Sequence, residues 1–243
     1  MTSAHDAVAR REDLSVNLQH VRERIGAACR AAGRPRHDVQ LIVVTKFFPG
    51  ADIEALCELG VTDIGESRDQ EASAKIADLP PEVRARLHVH FIGQLQSNKA
   101  GSLAGYADTV HSIDRDKLVW SLDRAAEAVG RDIGVLVQVR LGGGSAAQGR
   151  GGIPLDGVAE LANSVALAQH LRLRGLMAVA PLGADPVEAF ALLADVARDV
   201  RADHPGATWI SAGMSADLEA AVANGATHLR VGSAILGSRP PPG

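Results

Sequence analysis

The chain has 243 residues, 46% of them hydrophobic and 3% aromatic, with a formal net charge of −4. That is ample apolar material for one large core of Leu, Val, Ile and Ala, and it gives no electrostatic case for nucleic acid or an anionic membrane as main partner. The two cysteines, Cys29 and Cys57, exclude a disulfide framework and a thiolate metal site. No apolar run reaches the ~18 residues of a membrane span, and the polar stretch Met1 to Arg11 lacks the apolar region of a signal peptide. The default compartment is the cytoplasm.

Taken in chain order, residues 12–32 read as a helix, with Leu14, Leu18, Val21, Ile25 and Ala28 at near-helical spacing and Gly33 and Pro35 as its stop. A β-branched run, Val39 to Thr45, ends abruptly at Lys46 before Pro49-Gly50. Helical pattern follows over 51–59. Further strands are expected at Val61–Ile64, Leu87–Ile92, Thr109–Ser112, Gly134–Leu141, Leu171–Ala178, Thr208–Ser211 and His228–Val231, with helices at 67–77, 96–104, 115–129, 155–169, 186–203 and 215–224. Short apolar strands alternating with helices imply parallel βαβ units. About eight of them in this length favour one closed (β/α)8 TIM barrel spanning 1–243, of the α/β class, with an extra N-terminal helix. An open doubly wound sheet is the alternative. Residues 1–11 and 240–243 read as loose tails, and the glycine-rich stretch 142–152 as a long loop.

Barrels of this kind place their chemistry at the C-terminal strand ends, and polar residues gather there. Lys46 closes the first strand; it is either a side chain snorkelling to the rim or an amine in a partly desolvated site. Ser67 follows the second strand, where it would also serve as a helix N-cap. His90 lies in the third strand, either as a core histidine or as a ligand contact. Met177 ends the sixth and fits a core role equally well. The seventh strand ends in Ser211-Ala212-Gly213-Met214-Ser215 and the eighth in Arg230-Val231-Gly232-Ser233. Both loops are small, hydroxyl-rich and followed by helix starts, which suits a phosphate dianion. Barrels often bind phosphate after strands seven and eight.

These motifs, in this order, resemble the YggS/PROSC-type pyridoxal phosphate homeostasis proteins. The match runs from about residue 12 to Arg239. It comprises Val43-Val44-Thr45-Lys46, Gly65-Glu66-Ser67-Arg68 with Gln70-Glu71, the segment His90-Phe91-Ile92-Gly93-Gln94-Leu95-Gln96-Ser97-Asn98-Lys99, His111-Ser112-Ile113-Asp114, Gly175-Leu176-Met177, Ser211 to Asp217 and Arg230 to Ile235. The resemblance implies a barrel like the N-terminal domain of alanine racemase, with pyridoxal 5'-phosphate (PLP) held as a Schiff base on Lys46. It implies contacts from Ser67, His90 and Met177, Arg230 opposite the pyridine nitrogen, and a phosphate on Ser211, Met214, Ser215, Gly232 and Ser233. The implied role is PLP homeostasis and amino-acid/keto-acid balance without established catalysis, with transient contact to PLP-dependent apoenzymes. The sequence departs from the family at Ser67, where Asn is usual, and at Val89, Ala212 and Ser233, where Trp, Met and Thr are common. It also lacks the usual Lys in the loop at Gln148–Gly152.

An arginine opposite the ring nitrogen stays charged and cannot take that proton, so the ring is a weak electron sink. Imine exchange is favoured over α-carbon chemistry. The competing reading is an amino-acid racemase, for which the chain offers one tyrosine, Tyr106, in a Gly-Tyr-Ala-Asp turn before the fourth strand. The chain is too short for the second racemase domain, which also points to a monomer. A phosphate-binding barrel enzyme without PLP would leave Lys46 unexplained.

Overall fold

A computed structural model describes residues 4–142 and 151–238. The tail 240–243 and most of the expected loop at 142–152 lie outside the described residues. Eight parallel strands close a barrel in sequential order: β1 (Gln40–Val44), β2 (Asp63–Glu66), β3 (His88–Phe91), β4 (Thr109–Ile113), β5 (Ile133–Gln138), β6 (Leu171–Met177), β7 (Trp209–Ser211) and β8 (His228–Val231). β1 pairs with β8, Ile42 standing opposite Arg230, and this pairing closes the ring. The open-sheet alternative is thereby excluded.

The helices are α1 (Ala4–Ala31), α2 (Gly50–Glu58), α3 (Asp69–Ala77), α4 (Pro81–Arg84), α5 (Ala100–Tyr106), α6 (Asp116–Ala128), α7 (Val158–Leu167), α8 (Pro186–Asp203), α9 (Leu218–Ala223) and α10 (Ser233–Leu236). They sheathe the barrel because alternate strand residues point outward. Val43, Ile64, Val89, Val110, Val135 and Leu229 are buried in one apolar cluster with α1, α2 and α5 to α9.

Three expectations change. The first helix begins at Ala4, so residues 4–11 are not a loose tail; Arg10 reaches the buried carboxylate of Asp52 at 2.6 Å. β2 starts two residues later than expected, because its polar ends Asp63 and Glu66 find distant partners. Tyr106 is the last residue of α5, not part of a turn.

β5 and β6 shift register between Val135 and Leu136. Gly175, at φ 149°, lies in this irregular stretch, and a Cβ there would stand 1.9 Å from the Trp209 carbonyl oxygen. Only glycine permits so close an approach of β6 to β7.

Candidate functional site at the barrel mouth

Lys46 lies two residues past β1, half-buried, on the same parity as Gln40, Ile42 and Val44. The next residue, Phe47, has φ 70°, the one positive value outside glycine among the described residues. Its N–H donates to Glu71 Oε1 at 2.6 Å, which holds this strained turn against the start of α3. Lys46 Nζ lies 5.9 Å from the Phe47 ring centre, with no carboxylate in ion-pair range among the described residues.

The chain has only three other lysines. Lys75 donates to the Thr45 carbonyl, Glu66 and Glu71 at 2.9–3.1 Å. Lys99 pairs with Asp69 at 3.6 Å, and Lys117 is exposed on α6 outside the barrel. Burial raises the Glu66 carboxyl above its usual range, against the opposing pull of Lys75 and Thr45. Burial also acts to raise Glu71, but the Phe47 N–H and Lys75 outweigh it and hold that carboxyl below its usual range.

Arg230 is buried in the lumen. Its Nη1 donates to Ser211 Oγ at 2.7 Å and its Nη2 to the Ala178 carbonyl at 2.9 Å. Both bonds aim the guanidinium at the C-terminal ends of β6 and β7. Burial lowers its pKa to about 10, countered by Asp217, and leaves it cationic at neutral pH.

The loops after β7 and β8 meet. Ser215 Oγ and Ser233 Oγ are 3.5 Å apart. Gly232 approaches β1 closely: a Cβ on it would lie 3.0 Å from the Val44 carbonyl oxygen. The first N–H groups of α10, on Ser233 and Ala234, have no acceptor within their own helix. Met177 is buried at the end of β6. An amine without a carboxylate partner, a held guanidinium and a loop of glycine and hydroxyl residues fit the three polar parts of PLP.

Other candidates sit differently from expectation. Ser67 is not a helix cap; α3 starts at Asp69 after Arg68, with no side-chain cap. The Ser67 backbone instead lies against Gly93, where a Cβ would come 2.1 Å from the Ser67 carbonyl oxygen. The Met214 N–H is engaged by Asp217 Oδ1 at 2.6 Å. Ser211 is fully buried and its hydroxyl lies between Arg230 and His111. His90 bonds to His111 and to Asp63 at the opening strand residue of β2, so it lies below the mouth. Asp63 stands outside the sequence motifs, and His111 and Glu71 lie within them without an assigned role; the i, i+2 pairs His88/His90 and Thr109/His111 are the sign in the sequence of a polar lumen.

A family model described as "Alanine racemase, N-terminal domain" matches residues 16–240. A pyridoxal phosphate homeostasis protein of Mycobacterium tuberculosis is 43% identical over 95% of this chain and 94% of its own length. The chain belongs to the pyridoxal phosphate homeostasis protein family. The relative of that name in Escherichia coli K12 is 35% identical, covering 93% of this chain and 97% of its own. PipY of Synechococcus elongatus, solved with PLP bound, superposes with a TM-score of 0.77 at 34% identity, over 92% of this chain and 100% of its own.

Proposed function

We propose that this protein binds PLP in the barrel mouth, tethers it through Lys46 Nζ, and serves intracellular PLP homeostasis as a cytoplasmic monomer without turnover of its own. The observation that carries this is the state of the four lysines: Lys46 alone stands at the mouth without an acidic partner. Membership of the family and the PLP-bound PipY structure support the cofactor. Bound PLP supplies an aldehyde toward primary amines and a pyridine ring whose protonation sets its strength as an electron sink.

The protein's residues divide the work. Lys46 offers the amine. Ser215, Ser233 and the first N–H groups of α10 donate to the phosphate, and Gly232 leaves it room. Arg230, already cationic, has no lone pair for the ring nitrogen's proton and so keeps that nitrogen unprotonated. Met177 walls the site, and Ser67 borders it. Free amino acids compete with Lys46, and PLP-dependent apoenzymes are the expected transient recipients.

A racemase needs a second base at the mouth. Tyr106, the one tyrosine, donates instead to Asp69 at 3.3 Å from the end of α5. Burial and Asp69 together raise its pKa. Both facts count against that reading.

The test is PLP titration followed by borohydride reduction and peptide mapping. A yellow complex absorbing at ~420 nm is expected, with the reduced label on Lys46 and none on Lys46→Ala protein. A label on Lys75, Lys99 or Lys117 would end the assignment. Rapid α-deuterium exchange into L-alanine with racemisation would end the claim of no turnover.

A further inference from the structure

A hydrogen-bonded file crosses the barrel lumen beneath the mouth. Asp63 Oδ1 meets His90 Nε2 at 3.0 Å, and His90 Nδ1 meets His111 Nε2 at 2.9 Å. His111 Nδ1 meets Ser211 Oγ at 3.0 Å, and Ser211 Oγ meets Arg230 Nη1 at 2.7 Å. The five residues come from β2, β3, β4, β7 and β8, so no local structure requires them to align. His90, His111 and Ser211 are each 0% exposed.

Proton counting gives the file a direction. Arginine only donates, so Ser211 Oγ is the acceptor at that end. At the other end burial acts to raise Asp63, but hydrogen bonds from His90, Thr62 and Gln40 outweigh it and hold the carboxyl below its usual range. Asp63 therefore only accepts, and His90 carries a proton on Nε2. Ser211 has one proton to give. If His111 Nδ1 receives it, His111 carries its own proton on Nε2 and donates to His90 Nδ1. Every bond then points from Arg230 toward Asp63, with one proton on each ring.

The reversed file needs an extra proton on His90 Nδ1. It also turns the Ser211 hydroxyl proton away from His111, where no acceptor among the described residues meets it. A buried donor left without a partner costs about 1–3 kcal/mol. Burial, then the cationic forms of His90, Arg230, His228 and His88, push His111 well below the usual histidine range. The other groups facing these rings are Asp63, Trp209, Arg174 and Asp108.

We infer that Asp63, His90, His111 and Ser211 are positioning residues for Arg230, a one-way file that fixes the guanidinium at the mouth and withholds the Ser211 proton from the bound ligand. This rests on the PLP reading above and extends it: the proton-free state of the ring nitrogen depends on residues reaching to the far end of the barrel. Ser211, expected as a phosphate donor, acts here through Arg230.

Two measurements test it on the full chain. In cofactor-free protein labelled with 15N-histidine, two-bond 1H–15N spectra report which ring nitrogen carries the proton. Both His90 and His111 should show Nε2–H with Nδ1 bare at pH 8. A proton on His111 Nδ1, or two on His90, reverses the file and overturns the inference, whether or not any variant folds. The second measurement compares PLP binding by native, Ser211→Ala and Ser211→Thr proteins. Ser211→Ala should still be reduced onto Lys46 but bind about tenfold more weakly, the loss of one charge-assisted hydrogen bond. The pH midpoint of its ~420 nm band should shift, and Ser211→Thr should restore both properties. A yellow native protein with unchanged Ser211→Ala affinity and midpoint defeats this inference alone. A colourless native protein defeats the PLP reading itself.

Discussion

Phe47 pays for its backbone conformation so that the chain can turn sharply just after Lys46. A non-glycine residue in the left-handed region costs about 1–2 kcal/mol, and the Glu71 acceptor offsets it. Glu71→Ala should remove about 1–3 kcal/mol of stability, read by chemical denaturation, and weaken PLP binding several-fold. Because the folded carboxyl is held low, its contribution is present above the ordinary carboxylate pKa and is lost as pH falls through the depressed value. The deficit of Glu71→Ala relative to native protein should therefore shrink below about pH 4. A deficit that stays constant down to pH 3 would show that the charge is not the cause. Lys46 itself was legible in the sequence as a polar end to an apolar strand. The strain at Phe47 that aims it was not, since the acceptor Glu71 lies 24 positions beyond Phe47.

At the scale of elements, α1 props up the two loops proposed to hold the phosphate. Asn17 Nδ2 donates to the Ile235 carbonyl and Arg10 Nη2 to the Leu236 carbonyl, both at 3.1 Å, at the end of α10. Arg24 Nη2 donates to the Ser215 carbonyl at 3.2 Å. A four-residue helix cannot persist on its own hydrogen bonds, so α10 depends on this outside capping. Asn17→Ala should cost about 1 kcal/mol, speed amide exchange at Ile235 and Leu236, and loosen PLP. Unaltered exchange there would remove α1 from the account. The first turns of α1 carry no apolar stripe for a sequence reading to find, and their anchors lie on distant elements: Arg10 on Asp52 and the Leu236 carbonyl, and Arg11 on Glu58. α8, by contrast, matches its expected 186–203 in full, with Pro186 at its first turn and Asp185 accepting from the Val187 N–H at 2.8 Å. β2 was misplaced because it is defined by Asp63 and Glu66, whose partners Gln40, His90, Thr45 and Lys75 come from other elements.

Across the whole molecule, the barrel has an apolar sleeve and a polar lumen, where most such barrels stack branched aliphatic side chains. Burial lowers the pKa of His88 and of His111, and takes His228 down to about 3. Their unfolded forms bind protons more readily than the folded ones. Stability is thus complete above the ordinary histidine pKa of ~6.5 and is lost as pH falls below it, by up to about 1.4 kcal/mol per pH unit for each ring. The half-buried His88 should contribute least. Denaturation midpoints should decline from pH 6.5 toward pH 4, and His228→Phe should flatten the slope. A midpoint that does not change with pH in this window would mean the lumen histidines are charged when folded. The alternation of β and α that makes the barrel was readable from hydrophobic periodicity. The lumen's wiring was not, because its donors and acceptors meet only once the ring closes.

Lys75 carries a separate consequence for chemical labelling. All three of its ammonium protons are donated, to Thr45, Glu66 and Glu71, and its side chain is only 8% exposed. Acetylating or reductive-methylating reagents need a free lone pair, which this geometry withholds. Peptide mapping of a gently acylated sample should therefore show additions at Lys46, Lys99 and Lys117 while Lys75 is spared, making the native chain its own footprinting standard.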